Sequence, residues 1–135
     1  MDSVVHFEMS YENPERMKSF YEAAFGWQTQ TLGAEMGNYV LATTTEMGPD
    51  GTPKNPGAIN GGFYERSSDP AAGHPSVVIA VGDLRETMRK ITAGGGTLLG
   101  EPMEIPGIGQ YTSFRDTEGN RVGVLQPLPR TGAQP

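Results

Sequence analysis

Val4 to Trp27 reads VVHFEMSYENPERMKSFYEAAFGW, and this stretch decides the fold. Val5, Phe7 and Met9 alternate with His6, Glu8 and Ser10. A period of two means a strand with one apolar and one polar face. Asn13 and Pro14 then supply a helix cap and a first helical position. Met17, Phe20, Tyr21, Ala24 and Phe25 recur at helical spacing and predict one apolar stripe in the core. Gly26 ends the helix as a residue that tolerates positive φ.

Beyond this unit the chain reads as strands and turns. Strands are expected over Trp27–Leu32, Tyr39–Thr44 and Ala58–Arg66, the last with a glycine pair inside. Glu46–Gly57, with MGPDGTPKNPG, reads as a loop. Ser67–Pro75 is polar with two prolines and is expected to be a linker.

The pattern then returns. Ser76–Val81 is a strand, and Asp83 with Glu86 forms a capping box. Leu84, Met88 and Ile91 make the stripe, and the Gly94–Gly96 run stops the helix. Thr97–Leu99, Gln110–Arg115 and Arg121–Gln126 follow as strands, with Gly100–Gly109 as a loop and Asp116–Asn120 as a tight turn. A shift of 70 residues sets Asn13 on Asp83 and Gly26 on Gly96. The chain therefore reads as βαβββ twice. The expected boundaries are 1–66 for the first module, 67–75 for the linker, 76–127 for the second module and 128–135 for a disordered tail, within one compact domain.

Composition narrows the function. With 135 residues the chain can bury a core without staples. It has no cysteine, so thiolate–zinc sites and thiol nucleophiles are excluded. That fits a cytoplasmic protein. The start lacks an apolar h-region, so no secretory leader is expected, and no apolar run is long enough to span a membrane. The net charge of −6 argues against nucleic acid as a partner.

The duplicated layout, FYEAAFGW closing the first helix, and RDTEGNRVGVLQP near the end resemble the vicinal oxygen chelate superfamily. That group includes glyoxalase I, the bleomycin resistance proteins and the extradiol dioxygenases. AINGGFYER and IPGIGQYTSFRDTEGN are most similar to its glyoxalase-like branch, related to lactoylglutathione lyase. The resemblance implies an α+β fold in which the two βαβββ modules form a curved mixed sheet. A concave cleft would face one way, with helices on the convex side. In metal-using members the cleft holds one divalent ion, bound by first-strand histidines and fourth-strand glutamates.

Carried over residue by residue, that ligand set is mostly missing. His6 stands in the first-strand position, a lone metal-ligand remnant. Its counterpart is Ser76, a poor transition-metal ligand. Both glutamate positions read as glycine, Gly62 and Gly123, which are expected to leave open floor. A catalytic divalent site needs about three protein ligands. No cofactor is therefore expected, and a divalent metal is disfavoured.

Strand parity gives the expected lining for a small organic ligand: Tyr39, Leu41, Gly62, Tyr64, Ser76, Val78, Tyr111, Ser113, Arg121 and Gly123. His6 and Glu8 are the candidate catalytic pair. Same-face neighbours on a strand lie roughly 7 Å apart, too far for a direct hydrogen bond but near enough to share a substrate. The alternative is that both are satisfied by neighbouring strands and Arg121. Three functions compete. One is a metal-free small-molecule binder with any catalysis open. The second is a metal-dependent glyoxalase-type lyase or isomerase. The third is a drug-sequestering resistance protein, whose acidity would suit a cationic drug. A homodimer is expected in each case.

Overall fold

The structure is a computed structural model that describes residues 1–69 and 73–129. Among the described residues the chain makes nine strands and two α-helices, an α+β fold with the helices one per module. It divides into two compact units. One is built on His6–Pro75, and the other on Ser76–Pro129 together with Met1–Val5. In the latter unit the Ser3 carbonyl accepts from the Ala80 N–H at 3.0 Å.

The first module runs β1 (Val4–Tyr11), α1 (Pro14–Phe25), β2 (Gln28–Thr31), β3 (Val40–Thr43) and β4 (Asn60–Glu65). β1 lies parallel to β4, and β3 joins β4 and β2 antiparallel. The Asn13 side chain accepts the Arg16 N–H at 3.0 Å and caps α1. Gly26 closes the helix at φ 71°, a left-handed conformation that favours glycine. Tyr11, Val40, Ala42 and Phe63 form the buried core, with Phe7, Met9, Met17, Tyr21 and Trp27 packed around it.

Phe20, Ala24 and Phe25 depart from the expected stripe and are exposed, the two phenylalanines at 57% and 63%. At 100° per residue, Met17 and Tyr21 mark the centre of the buried arc, while Phe20 and Phe25 fall on its two flanks. They pack instead on Tyr21, with ring centroids 5.0 and 6.0 Å away.

The second module runs β5 (Ser76–Ala80), α2 (Leu84–Ala93), β6 (Thr97–Leu98), β7 (Met103–Ile105), β8 (Gly109–Arg115) and β9 (Arg121–Pro127). β5 is parallel to β9, β8 is antiparallel to β9, and β6 and β7 both pair with β8. Val81, Leu84, Met88 and Val124 form its core, with Ile79, Ile91, Leu98 and Phe114 against them.

Three expectations change here. Met103–Ile105 is a strand inside the expected loop, because β8 extends back to Gly109 and offers a pairing edge. α2 ends at Gly94 rather than Gly96, since Gly95 turns left-handed at φ 100° and the Gly96 N–H reaches back to the Ile91 carbonyl at 2.9 Å. Of the capping box, Asp83 accepts the Glu86 N–H at 3.0 Å, while the Glu86 carboxylate pairs with Arg89 at 2.7 Å. The DTEGN turn is held from within. Asp116 accepts from the Glu118 and Asn120 backbone N–H groups and from the Asn120 side chain. The Asn120 amide, first among these bonds, holds the Asp116 carboxyl below its usual range. The expected tail at 128–135 lies mostly outside the described residues.

Candidate functional site

Strand register builds the candidate site. In the first module Glu8 lies beside Gly62 across the parallel pair, and Leu41 lies beside Gly62 across the antiparallel pair. His6, Glu8 and Ser10 share the polar face of β1, and Leu41, Gly62 and Tyr64 continue it.

Tyr39 sits two residues before Leu41 and lays its ring over Gly62. A Cβ at that glycine would overlap the Tyr39 ring and hydroxyl. The hydroxyl ends between the two candidate catalytic groups. It lies 2.9 Å from His6 Nε2 and donates to Glu8 Oε2 at 3.1 Å. The gap between two same-face strand residues is thus closed by a third residue from another strand. Glu8 is 8% exposed, and His6 is half-buried. Burial pushes the His6 imidazole below its ordinary 6.5 and favours the neutral ring.

Gly61, the other half of the pair, serves the opposite face. There the Phe7 ring lies where a Cβ at residue 61 would stand. Phe7, Met9, Trp27, Thr44, Ile59 and Pro75 line an open hollow of about 360 Å³ on that face. Parity places this hollow on the helix-facing side of β1, so the expected lining did not include it.

The second module repeats the arrangement with other side chains. Val78 lies beside Gly123 in the parallel register, and Ser113 lies beside it in the antiparallel one. Tyr111, two residues before Ser113, covers Gly123. A Cβ there would come within 2.8 Å of the tyrosine ring and 3.1 Å of a Val78 methyl. Val78 and Ser113 are buried, and Ser76 is half-buried. Arg121 reaches the Ser113 hydroxyl at 3.5 Å.

The open floor expected at Gly62 and Gly123 is therefore corrected. Each glycine is covered by a tyrosine, because a strand glycine leaves a slot that a diagonal aromatic ring fills. Sequence reading found both tyrosines but missed what they do. The available signal was a tyrosine two residues ahead of the glycine's cross-strand partner, and it is readable only once register is known.

The residues present do not fit the divalent-ion set of metal-using relatives. His6 Nε2 is engaged with a tyrosine hydroxyl. The two glutamate positions carry no donor and lie under rings. Among the described residues no three His, Cys, Asp or Glu side chains gather. His74 is exposed and lies outside the strands.

Comparison with known proteins places this fold. Residues 3–124 match the family described as the Glyoxalase/Bleomycin resistance protein/Dioxygenase superfamily, and the chain belongs to it. "Putative glyoxylase CFP32" of Mycobacterium bovis and of Mycobacterium tuberculosis are each 30% identical over 126 residues, covering 91% of this chain. The chain spans 43% of those curated relatives. A methylmalonyl-CoA epimerase in complex with methylmalonyl-CoA shares the fold at TM-score 0.69 and 16% identity, with 96% and 97% of the two chains covered. The Mycobacterium tuberculosis methylmalonyl-CoA epimerase does so at TM-score 0.62 and 15% identity, covering 97% and 91%. Among the described residues no helix is long and apolar enough to cross a membrane.

Proposed function

We propose that this protein binds a small organic molecule against the polar face of its first module, without the divalent metal used by other members of its superfamily. One observation carries the reading. The Tyr39 hydroxyl bridges His6 and Glu8 while its ring occupies the place of a fourth-strand ligand at Gly62. A buried carboxylate, a neutral imidazole and a phenol are polar groups of the kind that orient a ligand. The curated relatives and the CoA-ester complexes among the structural neighbours agree with a small-molecule role.

The metal-dependent lyase is the reading that competes with this one. The test is metal content of protein purified from metal-supplemented culture, followed by turnover of the methylglyoxal–glutathione adduct with added Zn²⁺, Ni²⁺, Mn²⁺ or Co²⁺. The expected result is substoichiometric metal and no metal-dependent turnover. One tightly bound ion per chain that supports turnover would overturn the proposal. Thermal-shift screening with benzoic acid, phenol and bleomycin then addresses the ligand. A ligand present at 100 times its Kd raises stability by about 2.7 kcal/mol. A response to bleomycin alone would move the protein to the drug-sequestering class. The same reading takes a second copy of the chain as its partner, and a monomer mass in sedimentation would remove that part.

A further inference from the structure

His6 has one nitrogen tied and one untied. Nε2 meets the Tyr39 hydroxyl at 2.9 Å. Among the described residues Nδ1 makes no hydrogen bond. No buried side-chain nitrogen or oxygen is left unpaired among them, so Nδ1 reaches solvent.

The chain of bonds sets the ring's hydrogen. A carboxylate accepts hydrogen bonds and donates none. With Glu8 in that form, the single Tyr39 hydroxyl hydrogen goes to Glu8 Oε2, and the hydroxyl oxygen is left to accept. Its partner His6 Nε2 must then carry the ring hydrogen, which leaves the lone pair on Nδ1.

We infer that Nδ1 of His6 is the proton-accepting atom of this site, with Tyr39 and Glu8 as positioning residues that fix its tautomer, and that its ligand is an organic molecule presenting a hydroxyl. The ligand hydroxyl donates to Nδ1. In a proton transfer its O–H bond breaks, an N–H bond forms at Nδ1, and the electron pair stays on the ligand oxygen. The charge on the ring is then opposed by the Glu8 carboxylate through the Tyr39 hydroxyl. No oxidant, reductant or metal enters the step. The assignment goes beyond the binding proposal and rests on it for the ligand alone, since the tautomer is a property of the free protein.

The chain contains two histidines, so ¹⁵N-labelled imidazole spectra are simple, and His74→Gln assigns the pair. At a pH where the ring is neutral, His6 is expected to show a hydrogen-bearing Nε2 and a lone-pair Nδ1. The reverse pattern, or an equal mixture, in the unmodified protein overturns the inference whatever the protein binds. Tyr39→Phe should speed exchange of the Nε2 hydrogen by at least tenfold, and an unchanged rate overturns the role of Tyr39. Phenol should move the Nδ1 resonance toward the hydrogen-bonded value, while anisole, which keeps the ring but lacks the donor, should not. Equal responses to both, or none to phenol at tens of millimolar, overturn the ligand assignment and leave the tautomer result standing.

Discussion

The two modules place the same backbone device under different chemistry. Each has a glycine in its last strand, a tyrosine laid over it, and one residue beside it on the parallel first strand. In the first module that residue is Glu8, and the tyrosine hydroxyl serves it and His6. In the second it is Val78, 3% exposed, whose methyl joins the tyrosine over the glycine. The tyrosine–glycine pair is therefore a packing element in its own right. It does not depend on a carboxylate, and in the first module its hydroxyl meets a histidine and a glutamate.

Exchanging the differing residues tests this most severely. Val78→Glu would bury a carboxylate where the structure provides methyl contacts, at an expected cost of about 3 kcal/mol in urea unfolding. Glu8→Val, which leaves Tyr39 without one acceptor, should cost about 1 kcal/mol. If Val78→Glu costs less than Glu8→Val, Tyr111 can donate to a carboxylate as Tyr39 does, and the modules are chemically equivalent.

Adding a methyl to each glycine tests the shared element. Gly62→Ala drives a Cβ into the Tyr39 ring and should cost about 3 kcal/mol, at the upper end of overpacking. Gly123→Ala meets its tyrosine less closely, at 2.8 Å, and should cost about 1–2 kcal/mol. Combining Gly62→Ala with Tyr39→Ala should cost less than the sum of the two single changes, because the second removes what the first strikes. Additive losses would separate the ring from the glycine.

The helix caps should behave alike in both modules. Asn13→Ala and Asp83→Ala each free one backbone N–H, and each should lower stability by about 1 kcal/mol. A difference between them of more than that would show that the two helices contribute unequally.

The smallest effect is in pH. Burial lowers the His6 pKa in the folded state, so between that value and 6.5 the unfolded chain binds more protons. The contribution is fully present above pH 6.5 and is lost as pH falls through the folded value. Stability should therefore decline on acidification below about 6.5. His6→Gln should flatten that part of the curve, and an unchanged slope would remove His6 as its source.

Much of the fold was legible in local pattern. The period of two in Val4–Ser10 set the faces of β1, and Asn13 and Asp83 marked where both helices begin. Helix ends and short strands were less legible. Gly94, Gly95 and Gly96 offer three equivalent stops, and Met103–Ile105 alternates over three residues only and is a strand because β8 pairs with it. The apolar stripe of α1 was read too widely, since spacing alone does not say how far round the helix its neighbours reach.

The site divides in the same way. His6 and Glu8 could be placed on one face from sequence alone, and serine and glycine could be read at residues 76, 62 and 123, where the resemblance places metal ligands. Tyr39 as the bridge between His6 and Glu8, and tyrosine rings rather than open floor over Gly62 and Gly123, were decided only by tertiary structure. The reason is that side-chain alternation is a property of one strand, whereas a diagonal contact depends on the register between different strands.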